Sequence, residues 1–492
     1  MATATVVNPK TNESFQLDFY VAKSSQQSIL GSQACQSMKL LTVNVEKILS
    51  LDNTTVTPLT MQKVLDNYGN VFEGYGKLEG TLHLETDPTV PPVRMPLRKL
   101  PYALRDRVKA ELDAMEANGI IAPMNEPSEW ISALLVATKK SGNLRICIDP
   151  KPLNKALMRN HYLMPTIEDV LPELNNAKVF SICDARHGFW HVCLDDASSR
   201  LTTFETPRGK KRFLRLGFGL SVAPEEFQRR LIDALSGLDG IACIADDILV
   251  YGNGDTRETA MADHDRKMHA LLARCRERGI RLNKDKFKLH QESIAYMGHV
   301  LTQNGLQADP AKVEAIKNMP PPSDVKGVQR LIGMATFLAK FLPNFSEVTS
   351  PIRTLLDSKN EFRWDEHVHG KAFEELKTAL QSKEVLRYYD CNKPIIIQCD
   401  ASQHALGGVL LQEGRPVAYI SRALTPTETN YSQIEKELLA VLFSMERLHT
   451  FVYGRKTEVH TDHRPLISII KKPLTSAPGD FKECFCACKT TT

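Results

Sequence analysis

The sequence predicts an α+β protein of several domains, on three observations. At 492 residues the chain is too long for one core, and a prior of about 150 residues per domain gives three or so. Apolar, β-rich runs that end in an acid recur along it, and between them lie stretches whose apolar residues fall at helical spacing. A hydrophobic share of 42% and a charged share of 24% are ordinary for a globular protein. The net charge of +4 is too mild to indicate nucleic acid by itself.

The run Ile241 to Tyr251 organises the rest. Two apolar β-rich segments flank Asp246 and Asp247, which predicts two buried strands joined by a tight acidic turn. Charge beside that much apolar surface is costly unless something pairs with it, and a hard dication such as Mg²⁺ would do so. An isolated Asp-Asp pair is more often a hairpin turn facing water. A second acid changes the balance: Val179 to Asp184 is another apolar strand ending in a carboxylate, 62 positions before Asp246. Three carboxylates at one end of two strands would form a two-metal site for phosphoryl or nucleotidyl transfer.

The Asp184 block, the block from Phe218 to Gln228 and the Asp246-Asp247 block, in this order and spacing, resemble the reverse transcriptase of a gypsy-type LTR retrotransposon. The resemblance covers roughly residues 90 to 470, with a weaker match before. It implies a right-hand polymerase with palm, fingers and thumb, followed by an incomplete ribonuclease H-like α/β domain. The implied activity is RNA-directed DNA polymerisation, extending a primer 3′-hydroxyl with dNTPs. Asp184, Asp246 and Asp247 would hold two Mg²⁺ ions, with Mn²⁺ as the alternative. The implied partners are an RNA template, a DNA primer and an RNA–DNA hybrid. The implied location is the cytoplasm, within virus-like particles and with nuclear access. A catalytically dead nucleic-acid-binding relic is the competing reading.

Residues 1–50 contain an alternating stretch from Phe15 to Val21 and resemble the closing half of a retropepsin-like protease. Neither Asp-Thr-Gly nor Asp-Ser-Gly occurs, so no proteolysis is expected. Residues 51–90 read as a linker, with Pro88 to Pro92 its most linker-like part. Fingers and palm are expected over 91–300. Leu104 to Asn118 has helical spacing closed by Gly119, and 131–138 and 144–149 read as strands around the basic hairpin Lys139 to Asn143. That hairpin could be a plain soluble turn. The resemblance instead makes it a fingertip in which Lys139, Lys140, Arg145 and Lys151 bind the nucleotide, Lys151 standing where the family usually has arginine. Phe189 could be core; by resemblance it is the aromatic that excludes a ribose 2′-hydroxyl, and Phe218 packs on the nucleotide. Phe204 to Phe213 reads as a hairpin, and Pro224 to about Leu238 as a helix with Phe227, Leu231 and Leu235 on one face. The chain departs from the family pattern at Ala185 to His187, at Gly217 for a customary proline, and at Ile244 for the usual tyrosine.

Between Arg274 and Lys288 seven basic residues stand against two acids, which suits a solvated helix face or a phosphate backbone. Met297 and Gly298 match the family's primer grip. Thumb and connection are expected over 301–385. There Asp309-Pro310 opens one helix, and Ser323-Asp324 caps a second whose face is Val325, Val328, Ile332, Ala335 and Ala339; a third runs from Glu366 to Leu380.

A second acidic set follows. Pro394 to Asp400 and Thr457 to Asp462 are acid-tipped strands, and Ser432 to Glu435 is a capping box opening a helix that carries Glu437. Asp400, Glu437 and Asp462 together resemble the catalytic, metal-holding acids of the same elements' ribonuclease H, which cuts RNA in a hybrid recognised by shape and 2′-hydroxyls. That domain is expected over 386–475, ahead of a divergent tail at 476–492. Asp480 and Glu483 are the only acids past Asp462, so weak or absent cleavage is expected. The eleven cysteines show no metal-ligand spacing and no disulfide framework, and no run approaches the ~18 apolar residues of a membrane span. An intracellular, reducing compartment is the default expectation.

Overall fold

The computed structural model describes residues 2–7, 14–19, 58–138, 142–357, 361–382 and 384–463. Its contacts divide the chain into two units, residues 1–58 and 59–492. In the first, strands β1 (Ala2–Val7) and β2 (Ser14–Phe19) pair antiparallel, from Ala2 opposite Phe19 to Val7 opposite Ser14. The remainder of the protease-like stretch lies outside the described residues, as do Lys139, Lys140 and the tail.

The second unit opens with a correction. Residues 59–90 are not a linker. They form helix α1 (Met61–Tyr68), capped by the Thr60 hydroxyl, and bury Leu59, Val64, Val71, Phe72, Leu78 and Leu84 in the first core. The proline-rich composition that suggested a linker is confined to the end of the segment, whereas the apolar residues before it set its fate.

Helix α2 (Arg105–Ala117) ends at Gly119, whose φ of +65° closes it. Beyond it strand β3 (Ile121–Pro123) borders a small sheet, and β4 (Ala133–Thr138) and β5 (Leu144–Asp149) pair antiparallel. The palm strand β6 (Ala177–Asp184) follows. Strands β7 (Phe204–Thr206) and β8 (Gly209–Phe213) make the next hairpin, with β8 pairing β3. Helix α3 (Ala223–Leu235) buries Phe227, Leu231 and Leu235. Then come β9 (Ile241–Ile244), β10 (Asp247–Asn253), helix α4 (Arg257–Glu277) and β11 (Lys288–Gln291).

The palm sheet has the order β9-β10-β6-β11. Strands β6, β9 and β10 are mostly apolar because both faces are covered, whereas the edge strand β11 is largely polar. Cys183, Ile248 and Val250 enter the first core with α3 and α4, while Phe180, Ile182, Ile244 and Leu249 enter a second core shared with the thumb. The basic run Arg274 to Lys288 is neither a helix face nor a continuous stripe: it spans the last turn of α4, a turn and a short 3₁₀ segment, Lys284–Lys286. Several of its members bind protein. Arg274 donates to the carbonyls of Ala234 and Ser236, and Arg276 to that of Asn67.

Strands β12 (Ser293–Tyr296), β13 (His299–Thr302) and β14 (Gly305–Ala308) form a meander. Helices α5 (Pro310–Lys317), capped by Asp309, α6 (Val325–Leu338), capped by Asp324, and α7 (Phe345–Arg353) supply the second core. On α6 the buried face is Val328, Leu331, Ile332, Ala335 and Leu338, and Val325 at the first turn is exposed. The third helical run is a π-turn, Glu366–Gly370, leading into α8 (Lys371–Gln381). Strand β15 (Val385–Leu386) completes the meander sheet.

The last sheet comprises β16 (Ile395–Ala401), β17 (Ala405–Gln412), β18 (Arg415–Ala423) and β19 (Thr457–His460), in the order β18-β17-β16-β19. Helix α9 (Gln433–Arg447) opens with the Ser432/Glu435 capping box and covers this sheet over a third core. Among the described residues no helix is long and apolar enough to cross a membrane.

Candidate polymerase and nuclease sites

Asp184 and Asp247 are direct partners in the antiparallel pairing of β6 and β10. Asp246 occupies the turn between β9 and β10, and its carbonyl accepts the N–H of Ala185 at 2.9 Å. The sheet therefore delivers all three acids to one end. Their neighbours show what this costs. Burial first, then the charges of Asp184 and Asp247, push Asp246 up to about 6; Lys286 and Arg145 offset part of that. Burial and Asp184 likewise raise Asp247. Asp184 is buried and is met by two donors, the Lys286 ammonium 2.6 Å from Oδ2 and the Asn283 amide 3.5 Å from Oδ1.

The backbone around this turn is tightly held. Ala245 adopts a φ of +54°, and its N–H donates to the buried side-chain carbonyl of Gln228 on α3. A Cβ at Gly188 would fall 2.6 Å from Oδ1 of Asp246, so only glycine admits the carboxylate there. In the atypical Ala185-Arg186-His187 stretch, His187 takes a φ of +54° and stacks on Trp190 at 4.5 Å.

Of the residues expected to bind the nucleotide, Arg145 lies near enough to Asp246 for its charge to lower that carboxyl's pKa. Arg145 on β5 lies 4.9 Å from the ring centroid of Phe218, and Phe189 is 5.0 Å from Phe218. Both phenylalanines are partly buried against the first core while retaining exposed surface. Lys151 is exposed at the start of the short helix Lys151–Ala156. Met297 and Gly298 form the turn between β12 and β13 with φ of +47° and +76°. A Cβ at Gly298 would meet the Lys312 ammonium at 2.3 Å and the Phe337 ring at 3.1 Å, while Met297 is exposed. Ile244 is buried in the second core, and the hydroxyl of Tyr296 donates to the carbonyl of Asp247 at 3.5 Å.

The second set converges more closely. One oxygen from each of Asp400, Glu437 and Asp462 lies within 4.8 Å of the others, a convergence the first trio does not reach. Asp400 ends β16, Asp462 follows β19, its parallel neighbour, and Glu437 comes from α9. Glu437 is buried. Its Oε1 accepts from Gln433 at 2.8 Å, and its Oε2 is buried without a partner. Burial is the main cause raising its pKa, and the charges of Asp462 and Asp400 add to it. Asp400 and Asp462 edge a cleft of about 490 Å³ that also includes Gln398, Tyr419 and His460.

Two residues near the first trio carry no role in the sequence expectations. Lys286 was one of seven basic residues, with nothing to distinguish it from the others. Gln228 ended a recognised block, but its contact with Ala245 spans 17 positions and two elements.

A palm sheet with an acid trio at its end, joined to a thumb and to a second acid-bearing α/β sheet, defines a right-hand nucleic-acid polymerase with a ribonuclease H-like domain. Residues 137–301 match the family described as reverse transcriptase (RNA-dependent DNA polymerase), and 364–459 match that of the RNase H-like domain found in reverse transcriptase. The chain is 33% identical over 453 residues to the Retrovirus-related Pol polyprotein from transposon opus of Drosophila melanogaster, covering 86% of this chain and 44% of that one. To the polyprotein from transposon gypsy of the same organism it is 33% identical over 393 residues, or 76% of this chain and 37% of the other. The chain thus spans less than half the length of these relatives. The foamy viral protease-reverse transcriptase dRH in complex with double-stranded DNA superposes with a TM-score of 0.78 at 20% identity, covering 95% of this chain and 82% of that one. The same viral enzyme in complex with an RNA/DNA hybrid gives 0.70 at 21%, over 90% and 61%. The chain is a homologue of the Pol polyproteins of gypsy-type and other LTR retrotransposons and carries their reverse transcriptase and RNase H-like domains.

Proposed function

We propose that the chain extends a DNA primer on an RNA template. The observation that carries this is the register pairing of Asp184 with Asp247, with Asp246 held in the adjoining turn. The donor set fits a hard dication. Two of the three carboxylates are raised by burial and by neighbouring carboxylate charge, Asp184 foremost, beyond what Lys286 offsets. Asp184, Asp246 and Asp247 would hold Mg²⁺, or Mn²⁺, which when bound stabilises charge building on the reacting phosphate.

The chain's own groups do the rest. Arg145, aligned over Phe218, neutralises the triphosphate of an incoming dNTP, with Lys139, Lys140 and Lys151 as further cations of that region. Phe218 supports the sugar and base, and Phe189 beside it excludes a 2′-hydroxyl. Met297 and Gly298 place the primer end. The primer 3′-hydroxyl loses its proton to solvent and its oxygen bonds to the α-phosphorus as the bond to the departing pyrophosphate oxygen breaks. In the same reading Asp400, Glu437 and Asp462 bind a dication against the RNA strand of a hybrid, a role supported by the unpartnered Oε2 of Glu437. The neighbours solved with double-stranded DNA and with an RNA/DNA hybrid support nucleic-acid partners of that kind. The expected domain boundaries stand as part of this proposal, with the fingers and palm extended back to residue 59, since Leu59 and Val64 are buried in the first core.

The test is primer extension by the purified chain with Mg²⁺ and dNTPs, beside Asp246→Asn. Extension by the parent and a loss of at least about 10³-fold in the variant are expected. Equal extension by both would overturn the site. Salt-sensitive duplex binding with no extension by either would favour the binding relic.

A further inference from the structure

Away from both acid trios, the described residues contain one more group of converging metal-competent donors, His264, Asp265 and His290. His264 and Asp265 are neighbours on α4. His290 comes from the edge strand β11, where the pairing with β6 is interrupted between Lys288 and Gln291 and His290 itself takes a φ of +53°. An irregular edge of this kind re-aims a side chain. Both imidazoles address one oxygen: His264 Nδ1 lies 3.1 Å and His290 Nε2 2.5 Å from Oδ1 of Asp265.

A second ring of contacts fixes these three. The N–H of Leu59 donates to the other Asp265 oxygen at 2.8 Å. His264 Nε2 is 2.8 Å from the hydroxyl of Ser181 on β6, and that hydroxyl also accepts the N–H of His290 at 3.0 Å. His264 and Asp265 are buried, and the absence of a side chain at Gly252 makes room, since a Cβ there would lie 2.6 Å from that of His264.

We propose that His264, Asp265 and His290 form a binding site for a borderline transition-metal dication, with Zn²⁺ the reference case, which staples α4 to β11 and to the entry segment at Leu59. Two imidazoles and a carboxylate suit such an ion and suit Mg²⁺ poorly. The outer contacts are those that orient metal ligands: a hydroxyl on the far nitrogen of one histidine and a backbone N–H on the far carboxylate oxygen. His264 would bind through Nδ1 while Nε2 keeps its proton toward Ser181, and His290 would bind through Nε2 while Nδ1 keeps its own. Each neutral ring then carries its single proton on the nitrogen turned away from the metal, so binding selects a tautomer and leaves the count of ring protons unchanged. With bonds of about 2.0 Å the ligand atoms stand about 3.3 Å apart, a small adjustment from the contacts present.

The experiment uses the full chain carrying Asp246→Asn and Glu437→Gln, which weaken the two acid sites, stripped by chelator and titrated with Co²⁺. Expected are one visible ligand-field band of four-coordinate nitrogen and oxygen ligation, a rise in Tm, and displacement of the band by Zn²⁺. His290→Gln keeps a hydrogen-bond donor but is a poor ligand, so it should lose band and Tm rise while its metal-free Tm shows that it is folded. Ser181→Ala should weaken binding ~10-fold. A folded parent with neither band nor Tm rise, or binding unchanged in His290→Gln and Asp265→Asn, would overturn the site and leave a hydrogen-bonded network only.

Discussion

The carboxamide of Gln228 accepts the N–H of Ala245 and donates to the carbonyl of Cys243 at 2.9 Å, so one helix side chain clasps the strand end that leads into the turn presenting Asp246. Ala245 needs that support, because a φ of +54° costs a residue with a Cβ roughly 1–2 kcal/mol. Gln228→Met fills a similar volume but leaves two backbone groups unsatisfied, for a loss of about 2–3 kcal/mol in urea unfolding. Primer extension should fall further than that instability explains, by about 10²-fold, since a displacement of the turn of about 1 Å spoils the metal geometry. Adding Ala245→Gly should restore part of the stability by removing the strain. Extension at the parent rate in Gln228→Met would show that the turn holds itself.

Asp246 makes a second prediction, on pH. Its carboxyl is raised from an ordinary 3.8 to about 6, so the folded state binds this proton more tightly than the unfolded state does. The stabilisation is fully present below 3.8 and is lost as pH rises through about 6. Asp246→Asn, which never carries the charge, should therefore unfold at higher temperature than the metal-free parent at pH 7.5, by about 1–2 kcal/mol after solvent screening is allowed for. Near pH 4 the two melting curves should draw together. A parent more stable than the variant at pH 7.5 without metal would show that the trio carries no electrostatic cost.

How much of this was legible in the sequence depends on the range of the signal. The strands ending at Asp184 and Asp400, the acidic turn at Asp246-Asp247 and the capping box at Ser432 are local patterns, and all four form. Residues 59–90 were misjudged because the partners that bury Val64 and Leu78 are remote in sequence. The basic run from Arg274 was misjudged for the same reason: its arginines answer carbonyls at Ala234 and Asn67. Lys286 and Gln228 belong to the site only through side-chain contacts made from a 3₁₀ segment and from helix α3, which no local period encodes.

His191 supplies a third prediction, opposite in sign. Burial is the main cause that lowers it from 6.5 to about 4. Its Nδ1 lies 2.9 Å from the Gly188 carbonyl, and its Nε2 accepts the N–H of Arg281 at 3.0 Å. Both nitrogens are satisfied only in the neutral ring protonated at Nδ1; a second proton would oppose the Arg281 N–H. The stability from this residue is complete above 6.5 and is lost as pH falls toward about 4. His191→Gln can reproduce both hydrogen bonds without titrating. Its unfolding free energy should therefore lose about 2–3 kcal/mol less than the parent's between pH 7 and pH 4. Parallel pH profiles would show that the ring is protonated in the fold.

Glu437 is the acid of the second trio that water cannot serve. Asp400 and Asp462 are exposed and exchange metal for solvent cheaply, whereas the Oε2 of Glu437 is buried with no donor and its pKa is raised chiefly by burial. A dication between the three carboxylates removes that cost, so Mg²⁺ at about 100 times its dissociation constant should stabilise the protein by about 2.7 kcal/mol through this site. Measured in an Asp246→Asn background, which silences the first trio, the increase in Tm with Mg²⁺ should be clear in the parent and nearly absent in Glu437→Gln. The variant's metal-free Tm should equal or exceed the parent's, because an uncompensated buried charge has gone. The same substitution should abolish any cleavage of the RNA strand in an RNA–DNA hybrid. An Mg²⁺-dependent rise in Tm as large in Glu437→Gln as in the parent would place the ion elsewhere and leave the three carboxylates a surface cluster.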